Sequence, residues 1–265
     1  MNISTFSLSL GEFQLMVISD GVFPVTKDFF FSNTPKEIIS HIPDEFNAPL
    51  NFLYIDTGDK KILVDAGFGK GYPHAGHLLY QLKGKGITPE EIDIVIITHS
   101  HMDHIGGVSF NSKPTFTNAE YIMRQEEWDY WSGKPYTEEY QKLEVLKKHL
   151  TLIKSNKEIV PGIKLIHTPG HTPGHLSISI VSKDHTLLIA SDILNDPVAL
   201  QHLPSYINAE NLPKEGLQTR KRFLQDAWDK GAIVFACHYP FPGLGYIKKE
   251  NQMWEWISFK QDSIY

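Results

Sequence analysis

The stretch "THSHMDHIGG", residues 98–107, decides how this chain is read. Three histidines and an aspartate, His99, His101, Asp103 and His104, fall within six positions, and Gly106 and Gly107 follow. Immediately upstream stands Ile94-Val95-Ile96-Ile97, an apolar β-branched run that suits a strand covered on both faces. The polar stretch is therefore expected on the loop at the carboxyl end of a buried strand, where a rigid scaffold commonly carries catalytic groups. The two glycines permit close approach of backbone to whatever sits there. A loop rich in histidine by composition alone is the competing reading, and clustering argues against it. Of the 13 histidines, three are here and three more, His167, His171 and His175, fall in "HTPGHTPGH" (167–175). Imidazoles and carboxylates grouped at strand ends favour metal ligation over solvation.

Outward from this loop the pattern intermixes strands and helices. "LNFLYIDTGDKKILVDAG" (50–67) reads as two β-rich runs joined by a Thr-Gly-Asp turn, the second ending in Asp65 and Gly67. "HLSISIVSKDHTLLIASD" (175–192) repeats the plan and ends in Asp192, a weak internal duplication of two similar sheets. Thr88, Pro89 and Glu91 form a capping box that predicts a short helical turn before the 94–97 strand. A second capping box, Thr117 to Glu120, predicts a helix over 117–131, and "TEEYQKLEVLKKHL" predicts another over 137–150. A third helix region spans 212–231, interrupted or capped near Gly216, and "AIVFA" gives a final strand into Cys237 and His238. Strict βαβ alternation is missing, so helices outside packed sheets are expected.

The 265 residues can bury a substantial core in one or two domains. Apolar runs are far shorter than the ~20 residues a spanning helix requires, so no membrane association is expected. No basic residue precedes Lys27 and no continuous apolar core follows the N-terminus, which makes a cytoplasmic location the expectation. Cys237, the sole cysteine, excludes an intramolecular disulfide and reads as a small buried residue. A net charge of −6 without a basic tract argues against nucleic-acid partners.

The pattern H-x-H-x-D-H followed by Gly-Gly, a later P-G-H, a strand-end Asp and a strand-end His resembles the metallo-β-lactamase fold superfamily, over residues 50–245. The resemblance implies a four-layer αββα sandwich, two mixed β-sheets flanked by helices, with two metals in a groove at one sheet edge. Residues 1–265 would form a single such domain, with 1–45 as an N-terminal arm contacting the pocket or a dimer partner. By the same resemblance His99, His101 and His171 would hold one metal, and Asp103, His104 and His238 the other, with Asp192 bridging. Asp65 and His175 would orient these ligands. Two divalent ions are expected, zinc foremost, while manganese, cobalt and iron suit the same nitrogen and oxygen donors. Such a site lowers the pKa of bound water from ~15.7 towards ~7 and stabilises an oxyanion, so hydrolysis by metal-bound hydroxide, with Asp103 and Asp192 as catalytic residues, is the expected chemistry.

"HYPFPGLGYI" (238–247) and the N-terminal segment resemble the branch containing methyl parathion hydrolase and related lactonases. The expected substrate is accordingly a small hydrophobic ester, lactone or phosphotriester. Many lactonases carry a tyrosine three residues after the bridging aspartate; here Asn195 stands there, and Asn195, Tyr239 and Phe241 are the candidate substrate-binding residues, with Tyr206 a second source of a hydroxyl. Phe29, Phe30, Phe31, Trp128, Trp131 and Leu244 are further candidates for an apolar pocket, with plain core packing the better reading for such aromatics. The aromatic run in "TKDFFFSNTP" (26–35) offers a surface through which a homodimer can form. A glyoxalase-type thioesterase would share the ligands, but only about 20 residues follow the last motif here, too few for that family's C-terminal helical domain. A flavin-partnered redox protein would carry glutamate where this chain has His101.

Overall fold

The computed structural model describes residues 4–251 and 253–259, so residues 1–3 of the segment read as an arm lie outside the description. Its first half contributes β1 (Thr5–Leu10), β2 (Phe13–Thr26), β3 (Glu45–Asp56), β4 (Lys61–Val64) and β5 (Ile94–Ile96). A small ribbon follows, β6 (Ser109–Phe110) with β7 (Lys113–Pro114), then β8 (Glu120–Arg124) and β9 (Leu150–Ile153). Apart from the ribbon these strands form one seven-stranded sheet in the order β1-β2-β3-β4-β5-β8-β9. The second sheet runs in sequence order through β10 (Lys157–Val160), β11 (Ile163–His167), β12 (Leu176–Ser182), β13 (His185–Ile189), β14 (Ile233–Phe235), β15 (Leu244–Glu250) and β16 (Met253–Ser258).

The helices are α1 (Lys27–Phe30), α2 (Leu78–Gly84), α3 (Met102–Ile105), α4 (Gln125–Ser132), α5 (Glu138–Leu146) and α6 (Pro213–Lys230). Period-two alternation explains why they end up outside the sheets. Ile62, Val64, Ile94 and Ile96 face inward and meet Ile178, Leu187, Ile189 and Phe235 of the other sheet. Their alternates Leu63, Val95 and Ile97 face outward, where Leu78 and Leu82 of α2, Trp131 of α4 and Leu143 and Leu146 of α5 cover them. On the far side Leu188 and Val234 pack against Phe223, Leu224 and Ala227 of α6. The result is the expected αββα sandwich. Among the described residues no helix is long and apolar enough to cross a membrane.

The duplication seen in the sequence is structural. Hairpin β3–β4 places β4 parallel to β5, and hairpin β12–β13 places β13 parallel to β14. Each sheet therefore ends a parallel pair at the same edge, one delivering Asp65 and the His99 loop, the other Asp192 and His238. Strain marks both corners: Asp65 and Ser191 take positive φ values of 59° and 47°, a conformation that costs an L-residue about 1–2 kcal/mol.

Several local expectations are corrected. Residues 120–124 form a strand, not the start of a helix at Thr117; the parallel slot between β5 and β9 takes up the Glu120–Arg124 backbone, and the helix starts only at Gln125. The helix read over 137–150 ends at Leu146, because Leu150–Ile153 are drawn into the edge of the first sheet. α6 runs unbroken through Gly216, whose missing side chain gives room to the Glu210 carboxylate. "AIVFA" is not the last strand, since β15 and β16 extend the sheet beyond it. Within the segment read as an arm, residues 5–10 and 13–26 are strands of the first sheet. Of its aromatic run, Phe30 and Phe31 are buried against Phe46, leaving only Phe29 partly exposed.

Candidate metal centre

Because β4 and β5 end side by side, Asp65 sits where its carboxylate accepts hydrogen bonds from the Thr98 backbone N–H (2.8 Å) and hydroxyl (2.7 Å). Its Oδ2 also lies 2.8 Å from His104 Nδ1, which fixes that ring so that Nε2 faces the groove. α3, one turn long, folds the loop back and brings Asp103 and His104 towards His99 and His101. His171 arrives on the loop between β11 and β12. Asp192 and His238 come from the carboxyl ends of β13 and β14, where Asn51 holds the chain beyond β14 by donating to the carbonyls of Cys237 and Tyr239.

These segments converge. His101 Nδ1 is 2.8 Å from His171 Nε2. Asp192 lies between the two histidine groups: its Oδ2 is 3.3 Å from His171 Nε2, 3.3 Å from His238 Nε2 and 3.9 Å from His99 Nε2, and its Oδ1 is 3.1 Å from His104 Nε2. Asp103 Oδ2 stands 3.6 Å from both His104 and His238 Nε2. Among the described residues, two clusters have all their donor atoms within 4.8 Å of one another: His99, His101 and His171; and His104, Asp192, Cys237 and His238. His175 takes a supporting position, its Nδ1 2.9 Å from the Thr168 hydroxyl and its Nε2 accepting from the Asp192 backbone N–H at 3.2 Å.

The electrostatics of this cage fit cations. Nε2 of His99 is buried without a hydrogen-bond partner, which is costly unless something else engages the lone pair; Nε2 of His104, in the other cluster, is buried with only the Asp192 carboxylate beside it at 3.1 Å. Burial, with His104 and other rings nearby, drives His99 well below the ordinary imidazole range and likewise lowers His171, which favours the neutral form able to ligate, and burial takes the supporting His175 to about 3. His104 behaves oppositely: burial lowers it, but Asp192, Asp103 and Asp65 together carry it well above the usual value. Burial raises Asp192, yet His238, His104, His171 and His99 outweigh it and hold the carboxyl well below its usual range. A field that pulls protons onto His104 is one that binds positive charge. Burial raises the Cys237 thiol, which stays protonated and points at Asp192 Oδ1 from 3.3 Å.

Above the cage lies a cavity of about 190 Å³ floored by His101, Asp103, His171 and Asp192 and walled by Phe23, Phe29, Phe68, Ile207 and Ala209. Phe29 is the one aromatic named from the sequence that lines it. Asn195 and Tyr239 do not: both are buried and border a separate inner cavity beside Arg220 and Tyr206. Phe241 is also displaced, partly exposed on the turn after His238 and outside the walls. Trp128, Trp131 and Leu244 pack into the cores. A larger cavity of about 410 Å³ beside α6 contains none of the clustered ligands.

Sequence reading missed Phe23, Phe68, Ile207 and Ala209, which come from three distant segments with no shared motif. It also missed Asp20, whose buried carboxylate accepts from the backbone N–H groups of Phe68, Gly76 and Leu78 and so moulds the loop that carries Phe68. Burial pushes the Asp20 pKa up to about 6 against those bonds.

Residues 49–238 match the family model described as the metallo-beta-lactamase superfamily. The chain belongs to this superfamily. Among its members, the chain is similar to an N-acyl homoserine lactonase of Bacillus cereus, 30% identical over 164 residues, 54% of this chain and 62% of that protein. An N-acyl homoserine lactonase of Bacillus thuringiensis is 38% identical over 156 residues, 51% of this chain and 59% of that one. The matches thus span about three-fifths of these relatives' length. Across nearly the whole fold, the structure resembles AidC, a dizinc quorum-quenching lactonase solved with a product, N-hexnoyl-L-homoserine. The TM-score is 0.90, with 26% identity and coverage of 97% of this chain and 98% of that one.

Proposed function

We propose that this chain is a metal-dependent hydrolase that opens lactones carrying an apolar chain, N-acyl homoserine lactones being the substrate class favoured by its relatives. The observation that carries this reading is the double cage of imidazoles and carboxylates, buried with the His99 Nε2 left partnerless, at the floor of an apolar-walled cavity. His99, His101 and His171 would hold one divalent ion, and Asp103, His104 and His238 the other, with Asp192 shared. Zinc suits this nitrogen-rich donor set. When bound, the ions supply Lewis acidity and a lowered pKa for water.

The chain's own residues do the rest. Phe23, Phe29, Phe68, Ile207 and Ala209 take up the apolar part of the substrate and exclude bulk water, which orients the polar ring towards the cage. Asp103, the more accessible of the two cage carboxylates, accepts a proton from the attacking water on the carboxylate oxygen not turned to His104 and His238 and returns it to the leaving alkoxide. Asp192, held by its backbone bond to His175, keeps the two ligand groups in register. The same residues would act as one domain.

The test is a panel of N-acyl lactones, aryl esters, phosphotriesters and thioesters with zinc-reconstituted protein. Lactones should show the highest kcat/KM; a preference for phosphotriesters or thioesters would overturn the assignment.

A further inference from the structure

We propose that Glu127 is a positioning residue that locks the two loops bearing His99, His101 and His171 into one unit, and so sets the metal affinity of that cluster alone. The inference rests on the ligand set just proposed. Glu127, on the first turn of α4, is fully buried, and among the described residues no basic side chain lies within ion-pairing distance of it. A bare carboxylate in that setting is tolerated only if its lone pairs are filled. Four donors fill them. Oε1 accepts from the Ser100 backbone N–H at 2.9 Å and from Trp131 Nε1 at 2.8 Å; Oε2 accepts from the Thr172 hydroxyl at 2.6 Å and from the Gly174 N–H at 3.1 Å.

The placement of these donors gives the group its role. Ser100 stands between His99 and His101, and Thr172 directly follows His171, so each oxygen grips one ligand-bearing loop. Gly174 lies flush against the start of α4, where any Cβ would overlap the Glu127 backbone. Trp131, held by the same carboxylate, presents its ring edge-on to His101 at 5.9 Å. The other cluster is supported independently: His104 by Asp65 and His238 by the Pro49 carbonyl at 3.0 Å. Glu127 has no hydrogen bond to any of them.

Glu127→Gln keeps the shape but turns one oxygen into an NH2 group, which must face two N–H or O–H donors across one side of the site. Outer groups that orient metal ligands commonly change affinity about 10–100-fold when removed. The experiment measures zinc dissociation constants by competition with a chromogenic chelator in two backgrounds. His238→Ala leaves the three-histidine cluster whole, and His101→Ala leaves the other cluster whole. Glu127→Gln should weaken zinc about 10–100-fold in the first and leave the second unchanged. Unchanged affinity in the first background, or equal weakening in both, would overturn the proposal. Thr172→Val, which deletes one donor at constant shape, serves as the second variant: a smaller loss of affinity in the first background only is expected, and no loss there counts against the proposal. The number of ions the parent binds tests the ligand set separately, because it is read with Glu127 unaltered.

Discussion

Arg220→Ala should destabilise the protein by an amount that depends on pH in a defined direction. Arg220, on α6, is buried and spends its guanidinium on three partners: Nε donates to the Ile193 carbonyl at 2.9 Å, Nη1 to the Leu203 carbonyl at 3.0 Å, and Nη2 to Glu210 Oε2 at 3.0 Å. Removing one member of a buried ion pair typically costs about 3–5 kcal/mol. Burial raises Glu210 from 4.5 to about 7, against the pull of Arg220. Its folded pKa lies above its unfolded one, so the native state binds the extra proton between those values. This group's favourable contribution is whole below pH 4.5 and is lost as the pH climbs through 7, a span worth about 3 kcal/mol. Without Arg220 the carboxyl pKa rises further. At pH 5 Glu210 is then protonated in parent and variant alike, and the variant loses hydrogen bonds only. At pH 8 the parent buries a paired carboxylate, whereas the variant must bury an unpaired one or take up a proton. Urea unfolding of metal-free protein at both pH values should give a loss at pH 8 exceeding that at pH 5 by at least about 1 kcal/mol. Equal losses, or a larger one at pH 5, would refute this account of the pair.

Gly216→Ala should improve intrinsic helix propensity by up to about 1 kcal/mol yet lower the melting temperature, because the new methyl group meets the Glu210 carboxylate; a raised melting temperature would show that α6 can shift away. Asp20→Ala strips three backbone N–H groups of their acceptor and should cost about 2–4 kcal/mol in denaturant unfolding, with faster hydrogen exchange at Phe68, Gly76 and Leu78. Phe29→Ala should lower kcat/KM for a long-chain lactone by about tenfold and much less for a short-chain one, as removal of one partly exposed aromatic wall implies; an equal loss for both would place Phe29 outside the substrate's path.

Few side chains offer donor atoms of this kind, and that is why the cage was legible: His99 to His104 and His167 to His175 stand out as clusters, and the strand ends locate Asp65, Asp192 and His238. The sandwich was legible for a related reason, since Ile94 to Ile97 and Leu176 to Ile180 carry the periodicity of buried strands. What the sequence hid is set by long-range pairing. Glu120–Arg124 holds a plausible helix start, but β5 and β9 supply backbone partners on both sides and decide for strand. Asp20 and Glu127 look like surface acids until the loops they hold are folded around them. Asn195 follows from the position of the lactonase tyrosine, Tyr239 from its hydroxyl and Phe241 from its apolar ring, whereas the pocket walls come from Phe23, Phe68 and Ile207, far from any histidine motif.

The central claim is that distant segments converge to hold two cations on either side of Asp192. Anomalous diffraction at the zinc edge from crystals of zinc-loaded protein tests it most directly. Two peaks are predicted, one among His99, His101 and His171 and one among Asp103, His104 and His238, each within ligand distance of the Asp192 carboxylate. A single peak, or peaks lying elsewhere on the molecule, would contradict it.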